Sequence, residues 1–207
     1  MKTSLITKEL LTDNNLLLIT CERLAMLHAA GTPNDLMTQI GTGFLKNIFY
    51  PGLIASPNAV ISAVVDDNES IVAFAAVALN MKRCLRDIVS FQPLRSIWYG
   101  FSRVLSNNKL WRPFIESMLL RAPEQSKRTA EILMITTAHS YRGRRFGIKL
   151  LSTIDDCLKG HSIRTCIARV REDNNYATRM YESNGYCEVD SITFNGCRWR
   201  WLSHKVA

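Results

Sequence analysis

The sequence has no apolar run long enough to cross a bilayer as a helix. Its longest, Ile71 to Leu79, is nine residues, where a span needs about 20. The first residues, Met1-Lys2-Thr3-Ser4-Leu5-Ile6-Thr7-Lys8-Glu9, lack the unbroken apolar stretch and small-residue cleavage site of a secretory signal. A cytoplasmic protein without a transmembrane segment is therefore expected. No pair among the six cysteines, at 21, 84, 157, 166, 187 and 197, has C-x-x-C spacing. The four histidines, at 28, 139, 161 and 204, are scattered. Neither a metal site nor a redox pair is signalled, and the cysteines read as reduced thiols in apolar segments. Gly-x-Ser-x-Gly is also missing, so no serine nucleophile is signalled. Internal repeats, low-complexity tracts and linkers are absent too, which leaves 1–207 as a single domain long enough to bury a core.

Positive charge is present in excess and concentrated. The chain carries a net +8. Residues 80–129 hold ten Lys/Arg against three Asp/Glu, a net +7, while the remainder is nearly balanced at sixteen against fifteen. Such concentration suits an acidic partner more than a general role in solubility.

Apolar periodicity lays out the elements. Leu16 to Ile19 run into Thr20, which reads as the N-cap of a helix bearing Leu24, Met26, Leu27 and Ala30. Gly31-Thr32-Pro33-Asn34 stops that helix. Residues 35–54 keep helical spacing, with Gly41 and Gly43 dividing them. Ala59 to Val65 and Ser70 to Leu79, around Asp66-Asp67-Asn68-Glu69, predict an antiparallel hairpin. Thr129 to Thr137 predicts a buried strand, Phe146 to Leu158 a helix and Ser162 to Val170 a strand. Asn174 to Ser183 predicts a helix, and Tyr186 to Phe194 and Arg198 to Ser203 closing strands. The C-terminal order of strand, helix, strand, helix, strand implies an α/β (α+β) sheet with at least one parallel pair.

The most informative stretch runs from Glu131 to Leu151. A buried strand enters a loop, Tyr141-Arg142-Gly143-Arg144-Arg145-Phe146-Gly147, that opens directly into an amphipathic helix. The first amides of a helix have no helical partner and carry its positive dipole end, so such a place binds phosphate. Three arginines reinforce it. Downstream stands Asn174-Asn175-Tyr176-Ala177-Thr178-Arg179-Met180-Tyr181-Glu182-Ser183-Asn184-Gly185-Tyr186. Together the two segments resemble the ordered signatures of the GNAT N-acetyltransferase superfamily. One is its Arg/Gln-x-x-Gly-x-Gly/Ala pyrophosphate loop. The other is an Asn followed three residues on by Ala and seven on by Tyr, with a Gly-aromatic pair after it. The resemblance is specific over about Thr129 to Glu188. Arg145 departs from it, standing where the consensus has its first glycine. If the local φ is negative, Arg145 still offers its N–H.

The resemblance implies a mixed, mostly antiparallel twisted sheet flanked by helices, with the parallel pair at a cofactor cleft. It implies acetyl-CoA as acyl donor, held by Ile135, Thr136, Thr137, Arg142, Gly143, Arg144, Arg145, Phe146, Gly147, Ile148, Asn174, Ala177 and Tyr181. Asn174 fits either a pantetheine contact or a helix cap. By the same resemblance the amine attacks directly, and a strand N–H polarises the thioester carbonyl, as acyl transfer requires. Glu131 is the candidate base. Strict alternation puts it on one face with Leu133, Ile135 and Thr137, and a solvated strand-end carboxylate is the alternative. Tyr181 is the candidate acid toward the departing thiolate, with a core tyrosine as its alternative.

Between hairpin and cofactor strand, residues 80–129 are too long for a plain connection. Leu94, Ile97, Trp98, Phe101, Val104 and Leu105, then Leu110, Trp111, Phe114, Ile115, Met118 and Leu119, keep helical spacing around Ser106-Asn107-Asn108. This predicts a helical hairpin insert, either a lid with solvated charges or a basic rim for an acidic acceptor. The function expected is N-acetylation of a primary amine on a small, acidic or nucleotide-linked molecule. A protein or peptide N-acetyltransferase and a catalytically silent acyl-CoA-binding domain are the alternatives. Specific nucleic-acid binding is not expected, and the reading admits a homodimer.

Overall fold

Val, Ile and Ala at alternate positions make pleated, half-buried surfaces, and the computed structural model turns them into one seven-stranded sheet. Residues 1–93, 128–194 and 196–206 are described. The strands are β1 (Lys2–Ile6), β2 (Ala59–Val65), β3 (Ile71–Ala78), β4 (Thr129–Thr137), β5 (Thr165–Arg171), β6 (Cys187–Phe194) and β7 (Cys197–Lys205), in spatial order β1-β2-β3-β4-β5-β7-β6. Every pairing is antiparallel except β4–β5. The sheet class follows the sequence. β1 was not expected, because Lys-Thr-Ser-Leu-Ile is too short and polar to read as a strand until β2 offers it an edge.

Each face of the sheet carries its own core. On one side, α6 (Phe146–Gly160) and α7 (Asn175–Glu182) cover Val72, Ala75, Val77, Ala130, Ile132, Cys166 and Ala168. On the other, α1 (Asn14–Gly31) and the helices that follow it cover Ile61, Ala63, Phe74, Ala76, Ala78 and Met134. Leu24, Leu45, Ile48, Phe74, Leu150 and Ile154 are wholly buried, each worth about 1.5–3 kcal/mol relative to exposure.

The strand expected from Ser162 begins at Thr165 and the last one is longer than expected, Cys197–Lys205; the larger differences from the sequence reading lie before β2. The first helix begins at Asn14, six residues before Thr20, because Asp13 caps it: its carboxylate accepts from the N–H groups of Asn15 (2.9 Å) and Leu16 (3.0 Å). The Leu16 to Ile19 run thus lies within its first two turns. After Gly31 come α2 (Leu36–Ile40), α3 (Thr42–Phe44), a π turn over Leu45–Phe49 and α4 (Tyr50–Ala55). Gly41, at φ 126°, divides this stretch; Gly43 does not. The π turn has a cause in Pro51, which cannot donate to the preceding turn and crowds it, and the wider turn absorbs the misfit. Buried His28 faces the hydroxyl of buried Tyr50 at 2.7 Å, holding α1 to this widened segment.

Of the insert, Asn80 N-caps α5 (Met81–Phe91), its side chain accepting from Arg83 N–H at 3.0 Å. The helical hairpin predicted from Leu94 onward lies outside the described residues. None of the helices formed by the described residues is long and apolar enough to cross a membrane.

Candidate functional site

β4 and β5 run parallel and pair only from Thr129↔Thr165 to Ile132↔Ala168. Beyond that point β4 continues to Thr137 against β3, and β5 to Arg171 against β7. The two strands therefore part, and a wedge opens between them. Along it, the β4 edge from Leu133 onward has no β5 ladder. Backbone groups there need partners, and their spacing suits an extended chain with amide groups of its own.

A β-bulge sits at the same place. The β3 register jumps from Ala76↔Met134 to Val77↔Ile132, so Leu133 has no partner. One extra residue flips all that follows. Glu131 (beside Ala78 and Ile167), Leu133, Met134 and Thr136 point to the α1 side, while Ile135 and Thr137 point to the α6 side. Strict alternation, which put Glu131 with Ile135 and Thr137, is thereby corrected. The Thr136 side chain packs so closely on Gly31 that a Cβ there would collide with Oγ1.

Past β4 the chain turns through His139–Tyr141 into the arginine loop. The first ladder bond of α6 is Lys149 N–H to the Arg145 carbonyl at 3.2 Å, so the amides before it have no helical partner. Arg142, Arg144 and Arg145 are exposed around them. Unpartnered amides, a helix dipole and three guanidinium groups suit a pyrophosphate. Gly143 has φ 80° with nothing near its missing Cβ. Arg145 lies in the left-handed region at φ 60°, ψ 23°. The negative φ that would suit an arginine is therefore not what the loop adopts; Arg145 takes the shape that glycine would have supplied, and the loop keeps its form. Left-handed geometry costs a non-glycine residue about 1–2 kcal/mol, less the entropy glycine loses on folding, so Arg145→Gly is expected to raise Tm by about 1–4 °C. Thermal unfolding checks this, and an unchanged or lower midpoint would contradict it.

The loop is braced from the hairpin turn, which sequence reasoning read only as a turn. Tyr141 Oη donates to Asp66 Oδ2 at 3.0 Å, while Asp66 Oδ1 accepts from the N–H groups of Asn68 (3.0 Å) and Ser70 (2.9 Å). Those bonds, the Ser70 amide first, hold the Asp66 carboxyl below its ordinary range. The Arg144 guanidinium lies over the Tyr141 ring at 5.0 Å. Asp66 thus fixes Tyr141, and Tyr141 fixes Arg144.

α7 starts at Asn174, whose side chain accepts from Ala177 N–H at 3.1 Å; of its two expected roles, capping is the one seen. Ile135, Phe146, Ala177 and Tyr181 gather in one core on the α6 side. Ile148 is exposed on the first turn of α6, and Gly147 lies against Met180 so closely that a Cβ would strike its sulfur. Tyr181 is 3% exposed and meets Tyr186 edge-on at 5.1 Å. Burial pushes its hydroxyl well above the ordinary tyrosine range. Glu131, 7% exposed, lies on the opposite face at the apex of the wedge. Burial pushes its carboxyl up, partly offset by the Arg169 charge, so the solvated strand-end carboxylate is not what is observed. Among the described residues no group of three His, Cys, Asp or Glu converges as metal ligands.

The model of the Acetyltransferase (GNAT) family matches residues 45–186, more than half of the chain. The chain belongs to this family. Solved structures share its fold at low identity. Aminoglycoside 6'-acetyltransferase type Ii is 14% identical, with TM-score 0.61, over 100% of this chain and 98% of that one. An acetyltransferase is 16% identical, with TM-score 0.60, over 91% and 96%. The ribosomal-protein-S18-alanine N-acetyltransferase from Escherichia coli is 12% identical, with TM-score 0.57, over 100% and 95%. No curated protein matches the chain in sequence.

Proposed function

We propose that this chain transfers an acetyl group from acetyl-CoA to the primary amine of a small molecule by direct attack. The observation that carries this reading is the placement of Glu131 and Tyr181 on opposite faces of the sheet where β4 and β5 part. An amine approaches from one side while the thiolate departs on the other.

Bound acetyl-CoA supplies the activated acyl carbon. Arg142, the amides of residues 143–148 and the side chains of Arg144 and Arg145 hold the pyrophosphate. The free edge of β4 over Ile135, Thr136 and Thr137, with Asn174 and Ala177 beside it, holds the extended arm. An N–H of that edge stabilises the charge that develops on the carbonyl oxygen.

The protonation of Glu131 sets its role. A carboxyl raised by burial is a stronger base than one in water and so better matched to a primary ammonium. It takes one proton from the ammonium and passes it to solvent. The N–C bond then forms as the C–S bond breaks, and the second nitrogen proton leaves as the thiolate is protonated. Burial alters the part expected of Tyr181. A hydroxyl held above its ordinary range is a weaker acid but stays protonated, so it donates a hydrogen bond to the thiolate and relays its proton.

Release of CoA thiol from acetyl-CoA across a panel of primary amines tests the reading. Amine-dependent release with a matching N-acetyl product is expected. Acetyl-CoA binding without release on any amine would favour a silent acyl-CoA-binding domain instead.

A further inference from the structure

Arg169 is the first residue of β5 past the last β4 ladder pair, Ile132↔Ala168, and it stands exposed on the wall of the wedge. Alternation along β5 sends Cys166, Ala168 and Val170 into the α6 core, so Ile167 and Arg169 face the side on which Glu131 lies. β7 supplies its partners. Trp201 stands directly opposite Arg169, and Trp199 two pairs further along on the same face, opposite Arg171. The guanidinium carbon lies 5.5 Å from the Trp201 ring and 5.4 Å from the Trp199 ring.

Neighbouring arginines are already engaged. Arg171 pairs with Asp173 at 2.6 Å, Arg198 with Glu172 at 3.0 Å, and Arg200 with Glu182 at 3.1 Å and Glu188 at 2.5 Å. Among the described residues Arg169 makes no ion pair with a carboxylate. A guanidinium lying on indole rings keeps its N–H groups around its rim, where they fork onto a planar or tetrahedral oxyanion. The rings also restrict its motion, so less order is lost when an anion binds.

Glu131 lies on the same face, one strand over and two residues back, since its β5 partner is Ile167. The two Cβ atoms are thus about 8 Å apart by strand geometry. A base that receives a proton and an arginine that grips an anion stand side by side at the apex, with an aromatic wall behind. We propose that the acceptor is a small primary amine that also carries a carboxylate or phosphate, its anion held by Arg169 and its amine presented to Glu131. This rests on the acyl-transfer reading above. The influence of Arg169 on the Glu131 carboxyl, lowering it against burial, places the two charges within electrostatic reach of each other.

The test uses the full chain with acetyl-CoA and three probes: butylamine, 4-aminobutyrate and phosphoethanolamine. Acetyl-CoA affinity is measured by calorimetry, and kcat and KM for each amine by CoA-thiol release. One or both anionic amines are expected to exceed butylamine in kcat/KM, and which of them leads separates carboxylate from phosphate recognition. In Arg169→Gln that preference is expected to fall about 10- to 100-fold, the effect of one charged hydrogen-bonded contact, mainly through KM. Acetyl-CoA affinity should persist, which separates loss of the anion contact from loss of fold, and Arg169→Lys should restore part of the preference. Acetyl-CoA binding with equal or greater use of butylamine, no use of either anionic amine, or an anionic preference that Arg169→Gln leaves intact, would overturn the inference and leave the parent reading standing. Failure to bind acetyl-CoA at all would overturn the parent reading as well.

Discussion

Replacing Glu131 by glutamine is expected to lower kcat/KM by about 10²- to 10⁴-fold, the usual contribution of a positioned base, and at the same time to stabilise the protein above neutral pH. Glutamine keeps the volume but removes the charge, and a buried amide is less costly than a buried carboxylate. The sign follows from linkage. The folded carboxyl lies above its ordinary value of 4.5, so the folded state binds the proton more tightly than the unfolded one. Stability from this group is full below that value and is lost as pH rises through the folded pKa. The variant should therefore melt higher than wild type at mildly alkaline pH, and the difference should vanish in acid. Activity runs the opposite way, since the base must be ionised. The acid limb of the wild-type rate profile should lie above the ordinary glutamate range and disappear in the variant. Wild-type kcat/KM with an unchanged acid limb would remove Glu131 from the mechanism.

Tyr181→Phe is expected to lower kcat about 10²- to 10³-fold, the range seen when a single donor to developing charge is removed, with acetyl-CoA affinity nearly unchanged. Phenylalanine preserves the edge-on packing against Tyr186 and deletes only the hydroxyl. Because burial keeps that hydroxyl protonated, its loss should lower the rate uniformly across neutral pH rather than shift either limb. Single-turnover kinetics separate the chemical step from product release. A variant that turns over at the wild-type rate would return Tyr181 to the status of a core residue.

Much of this architecture is legible because strong periodic signals coincide with strong chemical ones. Thr129–Thr137 is apolar enough to be buried and runs straight into an arginine- and glycine-rich helix start, so strand, loop and helix read together. What sequence does not disclose is how elements meet. The bulge at Leu133 depends on the match to β3 and leaves no mark in composition, yet it decides which face Thr136 takes. The brace from Asp66 to Tyr141 spans 75 positions, beyond any local pattern. Arg169 offered a weak signal, a lone charge inside an apolar strand run, and Trp199-Arg200-Trp201 offered another. Only the β5–β7 register brings them together.

The central claim, that the wedge between β4 and β5 with the arginine loop beside it holds an acyl-CoA, is tested most directly by calorimetric titration with acetyl-CoA, using desulfo-CoA and ATP as controls. The account predicts micromolar binding, with desulfo-CoA retained through the shared pyrophosphate and arm, and a loss of about tenfold or more in Arg142→Ala, the effect of removing one charged phosphate contact. Absence of acetyl-CoA binding, or binding indifferent to Arg142, would contradict it.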